Sequence, residues 1–309
     1  MLTGNIDSAL IRAMKSPLVR SRPLFWRALA ASLLWAALFL TAPLLVTAEE
    51  TNAPPPGGTT NGSLLSTPFS RYLSSYEPIY FLMGTYPAAE FQFSLKYQVF
   101  SFTNRWARYS TNLFLAYTQT SFWDLLSSDP SFYDTDYNPE AFIYLPDLLA
   151  GGGRKFVQLD LQSGVEHESN GRGGGAERSL YRAYLQPTLT FGRPNNLQFS
   201  LSPRAWAYVI DLSRNNPDMA AYRGYADLHA ALSWKNARNP DQYYKLAVAY
   251  GMGDDGGNSM LKLDLSVTVL PYIRFKPRIH VQYFTGYGQT LRQYNQYSHG
   301  LRAGISLYD

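Results

Sequence analysis

Apolar and polar side chains alternate along the stretch Glu90-Phe91-Gln92-Phe93-Ser94-Leu95-Lys96-Tyr97-Gln98-Val99-Phe100. Successive side chains of an extended strand point to opposite faces, so the apolar residues share one face and the polar residues the other. A helix of this composition would place charged side chains among the apolar ones, which argues against it. The stretch therefore predicts a β-strand with one apolar and one polar face.

The same alternation recurs along the chain, most clearly in Met260–Val269 and in the C-terminal Leu301–Tyr308. We count twelve such segments, near 78–86, 89–100, 107–121, 139–147, 155–169, 179–192, 195–210, 221–235, 241–252, 258–270, 273–287 and 298–308. An even number of strands lets an antiparallel barrel close, and about ten residues suffice for a tilted strand to cross a bilayer. The sequence therefore predicts an all-β fold, a twelve-stranded antiparallel transmembrane β-barrel, over residues 76–309.

The composition agrees with a barrel wall. Aromatic residues make up 15% of the 309 residues, charged residues only 16%, and the mean hydropathy is −0.23. That mean is too polar for a bundle of membrane helices, but it suits strands whose lipid-facing and lumen-facing side chains alternate. A soluble β-sandwich also alternates and is the alternative fold, although its apolar faces would have to meet in a single interior.

Several classes of function are excluded by the residue types. The net charge of +4 is scattered, so no basic patch indicates a nucleic-acid partner. The chain has no cysteine, which excludes disulfides, thiolate chemistry and cysteine-based zinc sites. Its four histidines are isolated and have no metal-ligand spacing.

The N-terminal residues predict a signal peptide over 1–48. A basic leader precedes an apolar run from Ala28 to Leu45, and Val46-Thr47-Ala48 offers the small residues that a signal peptidase reads. An uncleaved membrane anchor is the alternative, because the apolar run is long. Residues 49–75, which include Pro54-Pro55-Pro56-Gly57-Gly58, predict a flexible linker.

The connections between the predicted strands alternate in length. Those at 193–195 and 270–272 are tight, and those at 124–138, 170–178, 212–220 and 286–297 are long. With the N-terminus on the periplasmic side, odd-numbered strands run outward and the long connections lie at the cell surface. The segment that begins at 155 is the fifth, so its last residues are expected at the level of the outer leaflet.

His167 and Ser169 end that fifth segment on the face that carries Val157, Leu159, Leu161 and Val165. A serine and a histidine two positions apart are most often an ordinary surface pair. On a lipid-facing wall, however, placing an imidazole or a hydroxyl in contact with lipid costs free energy, so such residues are often functional. The glycine-rich loop 170–175 that follows has backbone N–H groups free to approach a reacting oxygen. The pair is therefore a candidate nucleophile and base.

The run Glu166-His167-Glu168-Ser169-Asn170-Gly171-Arg172 resembles the active-site signature of the outer-membrane phospholipase A family. Other motifs share the resemblance, which spans roughly Tyr76 to the C-terminus: Tyr117-Thr118-Gln119, Ser121-Phe122-Trp123, Thr135-Asp136-Tyr137-Asn138-Pro139, Arg178-Ser179 and Thr285-Gly286-Tyr287-Gly288.

The resemblance implies a calcium-dependent enzyme of the Gram-negative outer membrane that hydrolyses phospholipid acyl esters. Phospholipase A1, phospholipase A2 and lysophospholipase activities are all expected of it. It also implies a homodimer with active sites at the subunit interface, directed towards the outer leaflet.

Carried over by residue, the resemblance makes Ser169 the nucleophile and His167 the proton acceptor. The backbone N–H of Gly171 matches an oxyanion donor, and the backbone carbonyl of Arg172 matches a calcium ligand.

Three positions depart from the family pattern. Tyr181 stands where the family has an asparagine that orients the histidine, and its phenolic oxygen could accept the Nδ1–H bond if Ser169 pairs with Ser179. Glu177, and Asp129 with Ser131 as its rival, stand where the family has calcium-binding serines. Carboxylates should hold calcium more tightly than hydroxyls. The alternatives are that Tyr181 is an interfacial aromatic residue and that the two acids are solvated.

Two functions from different classes follow. The first is the calcium-dependent phospholipase, with Ser169 and His167 as its reacting pair. The second is a catalytically inactive barrel, a pore or structural protein that retains the motif. The substitutions at Tyr181 and Glu177 are the features that favour the second.

Overall fold

The computed structural model describes residues 72–104, 109–149, 156–193, 196–210, 212, 215–236, 238–268 and 276–308. Within them the strands are β1 (Leu73–Ser75), β2 (Ile79–Gly84), β3 (Ala89–Asn104), β4 (Tyr109–Asp124), β5 (Ser131–Leu145), β6 (Val157–Ser169), β7 (Ser179–Gly192), β8 (Leu197–Tyr208), β9 (Ala226–Asn236), β10 (Asn239–Met252), β11 (Ser259–Thr268), β12 (Arg278–Gly286) and β13 (Ser298–Tyr308). From β2 onward each strand pairs antiparallel with the next, and β13 returns to pair with β2. Strands β2 to β13 therefore close the predicted twelve-stranded antiparallel barrel, which confirms the predicted fold.

The short strand β1 lies end to end with β2 on one edge of β3. Leu73 pairs with Tyr97, and Tyr80 further along pairs with Gln92. The predicted signal peptide lies outside the described residues, as does the predicted linker up to residue 71. The last three residues of that predicted linker differ from the expectation, because their backbone groups pair with β3 and form a strand.

The alternation of side chains along each strand separates the two faces of the wall. Outward side chains are large and apolar, and many are about half exposed, among them Leu115, Val165, Leu185, Leu246 and Leu301. Many inward side chains are polar or charged and buried, among them Glu90, Ser94, Asp160, Glu166, Glu168, Arg182, Gln282 and Arg302, beside a buried cluster of Ala116, Phe142, Tyr184 and Trp206. An apolar exterior around a polar lumen is the arrangement of barrels that face lipid, where the bilayer covers the outer side chains.

Several predicted strand boundaries are shifted, and the shift has a clear cause for two of them. Strand β5 begins at Ser131 instead of 139, because residues 131–138 continue the pairing with β4, so only residues 125–130 connect the two strands. Strand β9 begins at Ala226 instead of 221, because Met219–Arg223 form a short helix, α1, that ends at Gly224 with φ 58°. No helix in the described part of the chain is long and apolar enough to cross a membrane.

The end of the barrel at which β6 finishes, here called the site end, is covered by loops. Helix α1 from the β8–β9 connection and the β12–β13 loop (287–297) meet there in a small apolar cluster of Leu180, Met219, Leu291 and Tyr294. All four side chains are at most 2% exposed. The cluster packs these two loops against the start of β7, directly beside the last residues of β6.

Candidate active site

The end of β6 is held between β5 and β7. Ser169 pairs with Tyr137 on β5 and with Ser179 on β7, and His167 pairs with Tyr181. The predicted pairing of Ser169 with Ser179 is therefore confirmed. Since Glu166 and Glu168 are buried towards the lumen and Val165 is 55% exposed, the alternation turns His167 and Ser169 to the outer wall.

The ring of His167 is oriented by the main chain of β7. Its Nδ1 lies 3.1 Å from the backbone oxygen of Leu180, and the Tyr181 ring stacks against it with centroids 4.2 Å apart and planes inclined by 31°. A carbonyl only accepts, so the bond assigns the proton to Nδ1 and leaves the Nε2 lone pair available as a base. The bond predicted for the Tyr181 hydroxyl is thus made by the Leu180 carbonyl, and Tyr181 contacts the imidazole through its ring.

Ser169 and His167 are neighbours on the outer wall, but they are not yet bonded to each other. Within the described residues, neither ring nitrogen of His167 makes a hydrogen bond to the Ser169 hydroxyl. Alternate residues of a strand lie about 7 Å apart between their Cα atoms, so side-chain rotation is enough to bring the two groups together. Such bonds often tighten only when substrate is bound.

Asn170, for which the sequence predicted no role, holds the loop after Ser169 together through its side-chain hydrogen bonds. Its buried side-chain Oδ1 accepts from the backbone N–H groups of Arg172, at 3.3 Å, and Arg178, at 3.0 Å. Its Nδ2 donates to the carbonyl of Ala176 at 3.0 Å. One side chain thus closes residues 170–178 into a fixed loop. An amide residue within a glycine-rich stretch was the only sequence signal for this role.

Gly171 meets two requirements that only glycine satisfies. Its φ of 63° is a left-handed conformation, and a Cβ atom there would lie 2.8 Å from the ring of Tyr137. Among the described residues its backbone N–H donates to no main-chain oxygen. The loop therefore presents a free donor two residues after Ser169, of the kind that stabilises a tetrahedral oxyanion.

The predicted calcium ligands lie on two loops at the site end. The carbonyl of Arg172 accepts no backbone hydrogen bond from a described residue, and the Glu177 carboxylate accepts one bond, 2.8 Å from Asn215. Asp129 is exposed in the β4–β5 loop, and its rival Ser131 begins β5. Carbonyl and carboxylate oxygens suit a hard cation. The described residues contain no cluster of three or more His, Asp or Glu side chains that could hold a metal. The three predicted donors are fewer than the about six to eight oxygens that calcium usually takes.

The lumen side of β6 is fixed by buried ion pairs. Glu168 accepts from Arg182 at 2.8 Å and from Arg223 at 2.9 Å, and Glu166 pairs with Arg182 and Arg204. Both carboxylates alternate with His167 and Ser169 along the strand. The network therefore anchors the inner face of the backbone that carries the outward pair, with Glu168 pointing into the lumen.

Comparisons with known proteins show the family to which this fold belongs. A family model described as Phospholipase A1 matches residues 72–307. Phospholipase A1 of Escherichia coli K12 is 28% identical over 208 residues, which are 63% of this chain and 61% of that protein. A putative phospholipase A1 of Neisseria meningitidis is 29% identical over 207 residues, or 64% of this chain and 49% of that protein. The matched segment thus spans less than two thirds of either relative.

Solved structures share the fold. A Salmonella typhi outer membrane phospholipase dimer with bound calcium has a TM-score of 0.62 at 22% identity, covering 77% of this chain and 92% of that one. Outer membrane phospholipase A from Escherichia coli has a TM-score of 0.61 at 24% identity, covering 77% and 98%.

Proposed function

This chain belongs to the phospholipase A1 family, and from that premise we propose that it is a serine hydrolase that cleaves the acyl esters of phospholipids. The observation that carries the proposal is the outward-facing pair at the end of β6. There the Leu180 carbonyl holds Nδ1 of His167, so that Nε2 is the free nitrogen, on the same face as Ser169. A lipid ester in the surrounding bilayer would meet that face directly.

In the proposed reaction His167 Nε2 takes the proton of the Ser169 hydroxyl as its oxygen attacks the ester carbonyl. The tetrahedral oxyanion is stabilised by the backbone N–H of Gly171, which the Asn170 bonds hold in place. The imidazolium then protonates the leaving alcohol, which departs with the head-group part of the lipid. Water, activated by the same histidine, releases the fatty acid from Ser169.

We include calcium in the proposal, with the Arg172 carbonyl and Glu177 as ligands from the catalytic loop and Asp129 as a further ligand. When bound, the cation would polarise the ester and add positive charge near the developing oxyanion. Two observations support it: the oxygen donors at the site end and the calcium in the Salmonella typhi relative. Since one chain offers only part of a ligand set, we propose that the active form is a homodimer, as that relative is.

The proposed location is the Gram-negative outer membrane, with the site towards the outer leaflet. The apolar exterior of the barrel and its likeness to outer membrane phospholipases support this location. We further propose that residues 1–48 are a cleaved signal peptide, followed by a linker, and that the enzyme accepts both acyl positions and lysophospholipids.

The test is fatty-acid release from phospholipid by the purified protein in detergent, with calcium present. Ser169→Ala should lower the rate by at least about 1,000-fold, because it removes the nucleophile while leaving the barrel intact. Undiminished release by this variant would refute the assignment.

The inactive-barrel alternative makes the opposite prediction for a covalent probe. A sulfonyl fluoride should label Ser169 in the wild-type protein and not in Ser169→Ala if the pair is reactive. The absence of a bond between Ser169 and His167 in the described residues is the observation that favours the alternative. An unlabelled wild-type protein, folded and saturated with calcium, would decide for it.

A further inference from the structure

Two arginine side chains converge on one oxygen atom beside the catalytic loop. Arg172 Nη2 donates to the backbone carbonyl of Tyr133 at 2.7 Å, and Arg292 Nη1 donates to the same carbonyl at 3.0 Å. Arg172 belongs to the loop after Ser169, whereas Arg292 belongs to the β12–β13 loop. Two guanidinium groups that share an acceptor are close enough to repel each other, so an anion between them would be strongly favoured.

The pair is held in position by Asp134, which is fully buried. Its Oδ1 lies 3.4 Å from Arg172 Nε, and its Oδ2 accepts the backbone N–H of Arg292 at 2.7 Å. The Arg292 guanidinium also lies over the Tyr133 ring, 5.0 Å from its centroid. These contacts hold two guanidinium groups from separate loops close together. Two surface arginines that were neighbours by chance would not share such contacts.

The charges of this cluster do not balance. Asp134 supplies one negative charge, and no other carboxylate in the described residues forms an ion pair with Arg172 or Arg292. The Arg172 side chain is 35% exposed and Arg292 is exposed, so donors of both face the surface. Guanidinium groups present paired N–H donors whose spacing matches the oxygens of a phosphate. The cluster is therefore suited to a phosphate diester.

The cluster also lies in the direction that a lipid phosphate would take from Ser169. Tyr137 is the cross-strand partner of Ser169, and Tyr133 lies four residues further along β5, about 13 Å away at the usual rise of a strand. Arg172 lies on the loop that follows Ser169, and Arg292 lies on the β12–β13 loop, which packs against the start of β7 beside the end of β6. In a glycerophospholipid the glycerol spans part of this distance between an acyl carbonyl and the phosphate, and the two arginine side chains would span the rest.

We propose that Arg172 and Arg292 form a subsite for the phosphate group of the substrate, an inference that rests on the proposed function. The phosphate is common to all glycerophospholipids. The subsite therefore distinguishes phospholipids from uncharged acyl esters, and it does not discriminate among head groups.

The test compares Arg292→Gln with the wild-type protein on phosphatidylcholine and on diacylglycerol of the same acyl chains. The assays use lipopolysaccharide-free detergent micelles with calcium. We expect kcat/KM on phosphatidylcholine to fall about tenfold, mainly through KM, because one charge-assisted contact is lost. The rate on diacylglycerol should stay within about twofold of wild type, since that substrate has no phosphate to bind.

Arg193→Gln is the matched control. Arg193 is likewise exposed and lies over an aromatic ring, 4.6 Å from the Phe156 centroid, but in the β7–β8 turn at the opposite end of the barrel. Its removal should change neither rate.

Each other outcome is informative. Equal losses on both substrates, or no loss on either, would overturn the subsite while leaving the phospholipase intact. If Arg292→Gln weakens only the binding of phosphorylated lipid A micelles and leaves hydrolysis unchanged, the pair serves a bystander lipid and the subsite is wrong. If the wild-type protein releases no more fatty acid than Ser169→Ala, the proposed function itself fails.

Discussion

At the scale of single residues, the structure assigns the orientation of His167 to a main-chain carbonyl instead of a side chain. The Leu180 carbonyl is available because it belongs to the strand that pairs with β6, and no substitution of a side chain removes it. Tyr181 does not accept the Nδ1–H bond, and its ring instead packs against one face of the imidazole. In the proposed site this division would orient the histidine although Tyr181 stands where the sequence resemblance leads us to expect an asparagine.

Replacing Tyr181 tests that division. Tyr181→Phe keeps the stacked ring, so kcat/KM should stay within about twofold, whereas Tyr181→Ala should lower it about tenfold, since a stacked aromatic pair contributes about 0.5–1.5 kcal/mol. The measurement is fatty-acid release with calcium, with folded barrel content checked by circular dichroism. If Phe were as damaging as Ala, the phenolic oxygen would be the acceptor after all.

Much of the site could be predicted at this scale, but its supporting contacts could not. The alternation of one strand predicted that His167 and Ser169 share the outer face, whereas the pairing of Ser169 with Ser179 was only a condition for the expectation about Tyr181. The roles of Leu180, Asn170 and Asp134 depend on groups that meet only after the barrel closes. Every residue has a backbone carbonyl, so the residue types along the sequence do not indicate that the Leu180 carbonyl is the acceptor.

At the scale of elements, strand β6 is fixed differently on its two faces. Its outer face carries the proposed reacting pair, and its inner face forms ion pairs with three arginines through Glu166 and Glu168. The sequence predicted β6 to within two residues, because its alternation is regular. It misplaced the start of β5, where acidic residues and Asn138-Pro139 resembled a loop, and it missed α1, which is too short to show a helical period.

The ion pairs on the inner face of β6 should dominate its stability. Glu168→Gln leaves Arg182 and Arg223 without their shared carboxylate, and breaking a buried pair costs about 3–5 kcal/mol. We therefore expect a clear drop in the urea midpoint of barrel unfolding, followed by tryptophan fluorescence in detergent.

Asp241→Asn breaks the exposed ion pair with Lys276 and provides the contrast. That variant should change the free energy of unfolding by no more than about 1 kcal/mol. Equal effects of the two substitutions would mean that water in the lumen screens the β6 network as fully as bulk solvent does.

At the scale of the whole molecule, the proposed calcium site should couple the cation to association of two chains. Within the described residues one barrel offers the Arg172 carbonyl and Glu177 on the catalytic loop, and Asp129 on a separate loop at the same end. If a dimer completes the ligand set, each calcium bound in it stabilises the dimer over the monomer by mass action. Sedimentation in detergent at graded calcium concentrations measures this coupling directly, without reference to catalysis.

Glu177→Gln should shift the calcium midpoint of dimerisation upward by about tenfold, because an amide oxygen replaces a charged ligand. Asp129→Asn should do the same if Asp129, and not Ser131, is the ligand. Asp255→Asn is the control, since that exposed carboxylate accepts only a local bond from Gly257 in the β10–β11 loop and should leave the midpoint unchanged. If the calcium midpoint is unchanged in both Glu177→Gln and Asp129→Asn, these carboxylates are not calcium ligands. Calcium would then have to act through oxygen ligands other than these carboxylates.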